Sequence, residues 1–271
     1  MNEILIGTSG YDYPEWKGVF YPQNLKRSDF LEFYAEKFNA LEINNTFYSM
    51  PTKERLSKFY ERTNGSVKFS IKANRLLTHE PGSDWKENAK IMKDALSTLN
   101  NKQVLSSTLF QFPQSFHYTD SNRIYLSKVI EEFSDFFPVI EFRHREWIKE
   151  SVFEGLDKRG AGIVFCDMPE LKHLPSSVGQ KIFTGNTAYL RMHGRNADAW
   201  YSSDQKNNGS DRYLYDYSDE ELLKFVPIIE NCVISGKKVS VFFNNHPDGN
   251  GVKNASRIKK MIEDFELKKA D

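Results

Sequence analysis

The chain has 271 residues, 39% hydrophobic and 14% aromatic, enough apolar material for a substantial core and too much for a disordered chain. Its 37 Lys and Arg balance 37 Asp and Glu. A protein that grips a phosphate backbone ordinarily carries a basic excess, so nucleic-acid binding is disfavoured. No segment reads as a signal peptide or approaches the roughly 18 apolar residues of a membrane span, so a cytoplasmic protein without membrane contact is expected.

In chain order, ILIGT (4–8) is the first candidate strand. A helical pattern begins near Ser28, with Phe30, Leu31, Phe33, Tyr34 and Phe38 at helical spacing. ALEIN (40–44) precedes a helix starting at Thr52, and VKFSIK (67–72) precedes one near Trp85. TLFQF (108–112) and VIEFR (139–143) are followed by helices near Asp120 and Lys149. GIVFCD (162–167) and AYLRMH (188–193) come next; Cys166 and Cys232 lack metal or CxxC spacing and read as two buried thiols. The stretch from Gly194 to Tyr217 is irregular and rich in Asn and aromatic residues, among them Trp200, Tyr201, Asn207, Asn208 and Gly209. A loop of that length is usually functional, and it is expected to act as a lid. Ser218 and Glu221 form a capping box that opens a helix, and Pro227 is expected to bend it. VSVFFN (239–244) and a helix near Val252 complete the chain.

Eight strands, each followed by a helix or long loop, imply parallel strands joined by crossovers. The length suits a TIM-type (β/α)8 barrel, usually about 250 residues, with a doubly wound open sheet as the alternative. No Pro/Gly/Ser-rich linker divides the chain, so residues 1–271 are read as a single domain.

Alternation along the strands carries the functional signal. Side chains point alternately to the two faces, and the more apolar parity should meet the helices. Leu41, Phe69, Ile71, Ile140, Phe142, Leu190 and Met192 then point outward. Glu42, Asn44, Lys72, Gln111, Glu141, Arg143, Arg191, His193 and Asn244 point toward the barrel axis, mostly at C-terminal strand ends. Burying such groups is costly unless they pair or meet a ligand, and barrel enzymes work at that end.

The same residues carry a family resemblance. IGTSGYDYPEWKGVFYP, LEINNTFYSMPT, FSIKAN, FQFPQSF, VIEFRHREW, YLRMHGRN with the later YSDEEL, and VFFNNHPDGNGVKNA resemble the YecE-like family, domain of unknown function 72. They span nearly the whole chain in order. The resemblance implies a TIM-type barrel and supplies no reaction. The stretch from Arg195 to Tyr217 departs from it, being longer and richer in Asn than the family's compact connection.

Three functional readings follow. The first is a small-molecule enzyme, without cofactor, acting by acid/base chemistry on an anionic or polyhydroxylated ligand. Its catalytic candidates are Glu141, His193, Lys72 and Glu42, with His193 as the acid that titrates near neutrality. Arg143 and Arg191 would clamp an anion. Asn44, Gln111, Asn244 and Asn245 would offer amides, and Tyr48, Trp147, Trp200 and Tyr201 would offer aromatic faces. The second is a divalent-metal-dependent hydrolase or isomerase using Glu141, Asp167 and His193. The third is a non-catalytic module that binds such a ligand. Dinucleotide, P-loop and nucleophile-elbow motifs are absent from the sequence. A monomer and a small homo-oligomer are equally compatible with it.

Overall fold

A computed structural model of the chain describes residues 4–176, 183–201 and 210–270, with side chains up to residue 264. Eight strands run in sequence order: β1 (Ile4–Ser9), β2 (Ala40–Ile43), β3 (Lys68–Lys72), β4 (Leu105–Phe112), β5 (Pro138–Phe142), β6 (Gly162–Asp167), β7 (Thr187–Met192) and β8 (Lys238–Phe243). Each pairs in parallel with its neighbours, and β8 closes onto β1 with Ile4 opposite Val239 and Thr8 opposite Phe243, giving a (β/α)8 barrel.

The main helices pack around the barrel: α1 (Phe30–Ala35), α2 (Lys53–Arg62), α3 (Trp85–Asn101), α4 (Asp120–Glu132), α5 (Glu150–Asp157), a short α6 (Ala197–Trp200), α7 (Asp219–Leu223), α8 (Val226–Ile234) and α9 (Asn250–Ala270). No helix among the described residues is long and apolar enough to cross a membrane. Pro227 does not bend one helix. The chain leaves α7 and restarts as α8 with the proline in the first turn, where a missing N–H costs nothing.

Two apolar clusters reflect strand alternation. The outer cluster joins Leu41, Ile43, Phe69, Ile71, Phe110, Ile140, Phe142, Leu190 and Val241 to the helices. The inner one fills the barrel with Leu5, Leu109, Val139, Val164, Tyr189 and Phe242. The interior is therefore apolar at its base, and the polar parity continues the same columns upward into the C-terminal mouth. Gly7 marks the closest approach between strands, since an added Cβ would stand 1.9 Å from the Ala40 carbonyl oxygen.

Candidate functional site

The mouth is built on Arg191. Its Nη2 donates to Glu42 Oε1 at 2.7 Å and its Nη1 to Glu141 Oε2 at 2.6 Å, and all three residues are buried. Glu42 also accepts from the Tyr189 hydroxyl at 2.7 Å, and that oxygen lies 2.7 Å from Ser70 Oγ. Arg143 Nε donates to Glu141 Oε1, so Glu141 is held from both sides. Burial alone would raise the Glu141 pKa, but Arg143, Arg191 and the contact with His193 outweigh it and keep the group well below the usual carboxylate range.

His193 sits between this network and β8. Arg143 Nη2 lies 3.2 Å from its Nε2, and the Asn244 amide nitrogen lies 3.0 Å from its Nδ1. A neutral imidazole accepts at one nitrogen only, so the tautomer decides which approach is a hydrogen bond. Burial, reinforced by Arg143, pushes the ring's pKa down to about 3. His193 is thus neutral near physiological pH and is not the near-neutral acid expected from the sequence.

Lys72 takes that place. Its ammonium donates to Gln111 Oε1 at 2.8 Å and lies 4.5 Å from the centroid of the Phe47 ring. Burial, then the charges of Arg191 and Arg143, lower its pKa to about 7, against the opposing pull of Glu141 and Glu42. His79 meets Phe47 edge-on at 4.7 Å, and burial with Lys72 lowers its pKa to about 4.

Two described aromatic residues from the segment after β7 pack against the mouth. Trp200, at the end of α6, is buried 6.3 Å from the His193 ring and 6.0 Å from the Arg143 guanidinium. Tyr213, in a helical turn over Ser210–Tyr213, is 5.9 Å from His193. Asn207, Asn208 and Gly209 of the expected lid lie outside the described residues.

Geometry therefore brings Glu42, Lys72, Gln111, Glu141, Arg143, Arg191, His193, Asn244 and Trp200 together and redistributes the other candidates. Arg191 is not a free anion clamp, because both terminal nitrogens are bonded to carboxylates; only its Nε is buried without a partner, as is Ser9 Oγ on β1. Trp147 is a core residue, stacked on Phe142 at 4.6 Å and Phe116 at 5.1 Å on the outer face of the sheet. Asn245 is scaffolding, its amide donating to Tyr215 O and Asn254 Oδ1. Tyr48 and Tyr201 are 77% and 56% exposed, outside the paired network. Asn44 is half-buried, with its Oδ1 unbonded.

Asp167 also leaves the expected metal triad. It alternates with inward-facing Cys166, and its carboxylate receives Arg195 and the Tyr217 hydroxyl, the latter at 2.7 Å. The donor set that geometry assembles within the mouth is Glu141, Cys166 and His193, with one ligand atom from each lying within 4.8 Å of the others. A cation there would have to displace a guanidinium from Glu141, and burial holds the Cys166 thiol well above its ordinary pKa. Alternation would have found Tyr189, Ser70 and Cys166, which share the parity of Arg191, Lys72 and Val164. Nothing local in the sequence pairs Asp167 with Arg195. A cavity of about 150 Å³ between α4 and α5 contains none of the mouth's titratable groups.

A closed parallel barrel whose C-terminal mouth carries paired charges and displaced titrations defines a TIM-type barrel with a candidate small-molecule site. The family described as "Protein of unknown function DUF72" matches residues 5–270, so the chain belongs to the DUF72 family. It is 26% identical over 270 residues to the UPF0759 protein YunF of Bacillus subtilis, covering 96% of this chain and 95% of that protein. The crystal structure of a DUF72 family protein from Thermotoga maritima is 34% identical and superposes with a TM-score of 0.87 over 96% of this chain and 100% of the other. A DUF72 family protein from Enterococcus faecalis, at 22% identity and 96% coverage of each chain, superposes with a TM-score of 0.83 and shares the fold.

Proposed function

We propose that the barrel mouth binds a small anionic or polyhydroxylated molecule and acts on it by proton transfer through Lys72. The observation that carries this reading is the position of the Lys72 amine. It lies at the mouth between Gln111 and Phe47, and burial, reinforced by the neighbouring guanidiniums, brings its pKa to about 7. A group poised near the working pH can both take and return a proton. Glu42 and Glu141 act as positioning residues, since their oxygens are taken up by Arg191, Arg143 and Tyr189. Arg143, whose side chain keeps 14% of its exposure, is the guanidinium that can meet an anion. Trp200 and Phe47 supply aromatic faces for a sugar-like ring.

The test uses a panel of sugar phosphates and small hydroxy acids. Thermal stabilisation by at least one compound is expected, lost in Arg143→Ala and retained in Lys72→Met. Turnover of that compound should disappear in Lys72→Met. Where the neutral amine is the base, activity should rise with pH through about 7, because the deprotonated form dominates above its pKa. A panel without any stabilising compound, or full turnover by Lys72→Met, overturns the proposal.

A further inference from the structure

At the same end of the barrel as the mouth, but outside its paired network, loops from three consecutive βα units converge on a group of imidazoles. His117 follows β4, His144 and Glu146 follow β5, and His173 follows β6. The rings of His117 and His144 meet at 4.6 Å, and that of His173 stacks beyond His144 at 6.1 Å. Glu146 Oε2 lies 3.3 Å from His117 Nδ1 and 3.6 Å from His144 Nδ1. Ligand atoms about 2.0–2.1 Å from a tetrahedral zinc ion are separated by about 3.3–3.4 Å, so these edges, the shorter of which closes as a hydrogen bond, are near the spacing of a coordination sphere, and one ligand atom from each of the three residues lies within 4.8 Å of the others.

The surroundings orient these donors as outer partners orient metal ligands. The Tyr118 backbone N–H donates to Glu146 Oε2 at 3.2 Å. The Glu146 backbone N–H donates to His144 Nδ1 at 3.3 Å, so Nδ1 is the unprotonated nitrogen of that ring, and a metal bound there would displace this N–H. The loop carrying His173 is held alongside by Arg145, whose backbone N–H donates to the His173 carbonyl at 3.0 Å.

We infer that His117, His144 and Glu146 form a binding site for a zinc-type divalent transition metal, clipping the loops after β4 and β5 together. This site is independent of the Lys72 chemistry, and its donors differ from those of the mouth.

Chelator-treated full-length protein titrated with zinc by calorimetry, and with cobalt by absorption, tests the inference. One ion per chain is expected. His117 is 55% exposed, so His117→Ala should fold normally. Outer-shell partners of metal sites are worth about 10–100-fold, so loss of this direct ligand should weaken zinc binding on the order of 100-fold. Glu146→Gln should weaken it comparably, and Cys166→Ser should leave it unchanged, with no thiolate-to-cobalt charge-transfer band. Absence of zinc binding overturns the site. So does binding that survives His117→Ala unchanged, and loss in Cys166→Ser alone would move the ion to the mouth.

Discussion

Two arginine-centred networks stand on opposite faces of the barrel wall at its C-terminal end. Inside, Arg191 is sealed between Glu42 and Glu141, its side chain 2% exposed. Outside, Arg195, 34% exposed, bonds Asp167 and Glu221, while Tyr217 donates to Asp167 and accepts from the Gly194 N–H. Both satisfy their carboxylates, so paired charge at a strand end does not itself mark a site. The difference lies in what stands beside them. Lys72 and His193, displaced in pKa by burial and by Arg143 or Arg191, border the inner network, whereas the outer one ties the segment after β7 to the barrel. The inner network reads as a preorganised frame around a titrating amine, the outer as a clasp.

Arg191→Ala separates the two most sharply. It takes the shared guanidinium from two fully buried carboxylates, leaving Glu141 only Arg143 and Glu42 only the neutral Tyr189 hydroxyl, for a cost of about 3–5 kcal/mol, measured as loss of unfolding free energy in urea. A loss below about 1 kcal/mol would mean that water reaches Glu42 and Glu141 and that the inner network is no more sealed than the outer one.

Arg195→Ala should cost less, about 1–2 kcal/mol by the same measurement, because the arginine is partly solvated and Asp167 keeps its bond from Tyr217. A loss equal to that of Arg191→Ala would erase the distinction between frame and clasp.

How much of this was legible follows from what alternation encodes. Period-two patterning located all eight strands and the inward parity of Glu42, Lys72, Glu141, Arg143, Arg191 and His193, because one face of each strand had to meet helices. Direction is not distance, however. Nothing local states that Arg191 spends both terminal nitrogens on carboxylates from β2 and β5. In GIVFCD both faces are buried and the run is nearly all apolar, so alternation does not say on which face Asp167 stands, and its grouping with Glu141 and His193 rests on strand ends alone. The His193 pKa depends on burial in a mouth roofed by Trp200, from a segment with no periodic signal. Trp147 and the His117–His144 pair lie in loops, where sequence spacing carries no geometry.

The smallest effect probes where the clasp ends. Ser218 Oγ accepts from the Glu221 N–H at 3.2 Å, and Glu221 Oε2 accepts from the Ser218 N–H at 2.9 Å, the capping box legible in the sequence. The other Glu221 oxygen accepts from Arg195 at 3.1 Å and from the Tyr215 hydroxyl at 2.6 Å. One carboxylate therefore serves both a helix cap and the outer network. Ser218→Ala should cost about 1 kcal/mol, the usual worth of an N-cap. Because it unpins the Glu221 backbone, whose carboxylate still bridges the residue-218 N–H and Arg195, its effect should not add to that of Arg195→Ala, and a coupling of about 0.5 kcal/mol or more is expected in a double-mutant cycle. The cycle with Arg191→Ala should close to additivity, since the two residues share no partner. Coupling to Arg191 as strong as that to Arg195 would make the networks one, and the clasp would then be part of the frame that sets the Lys72 environment.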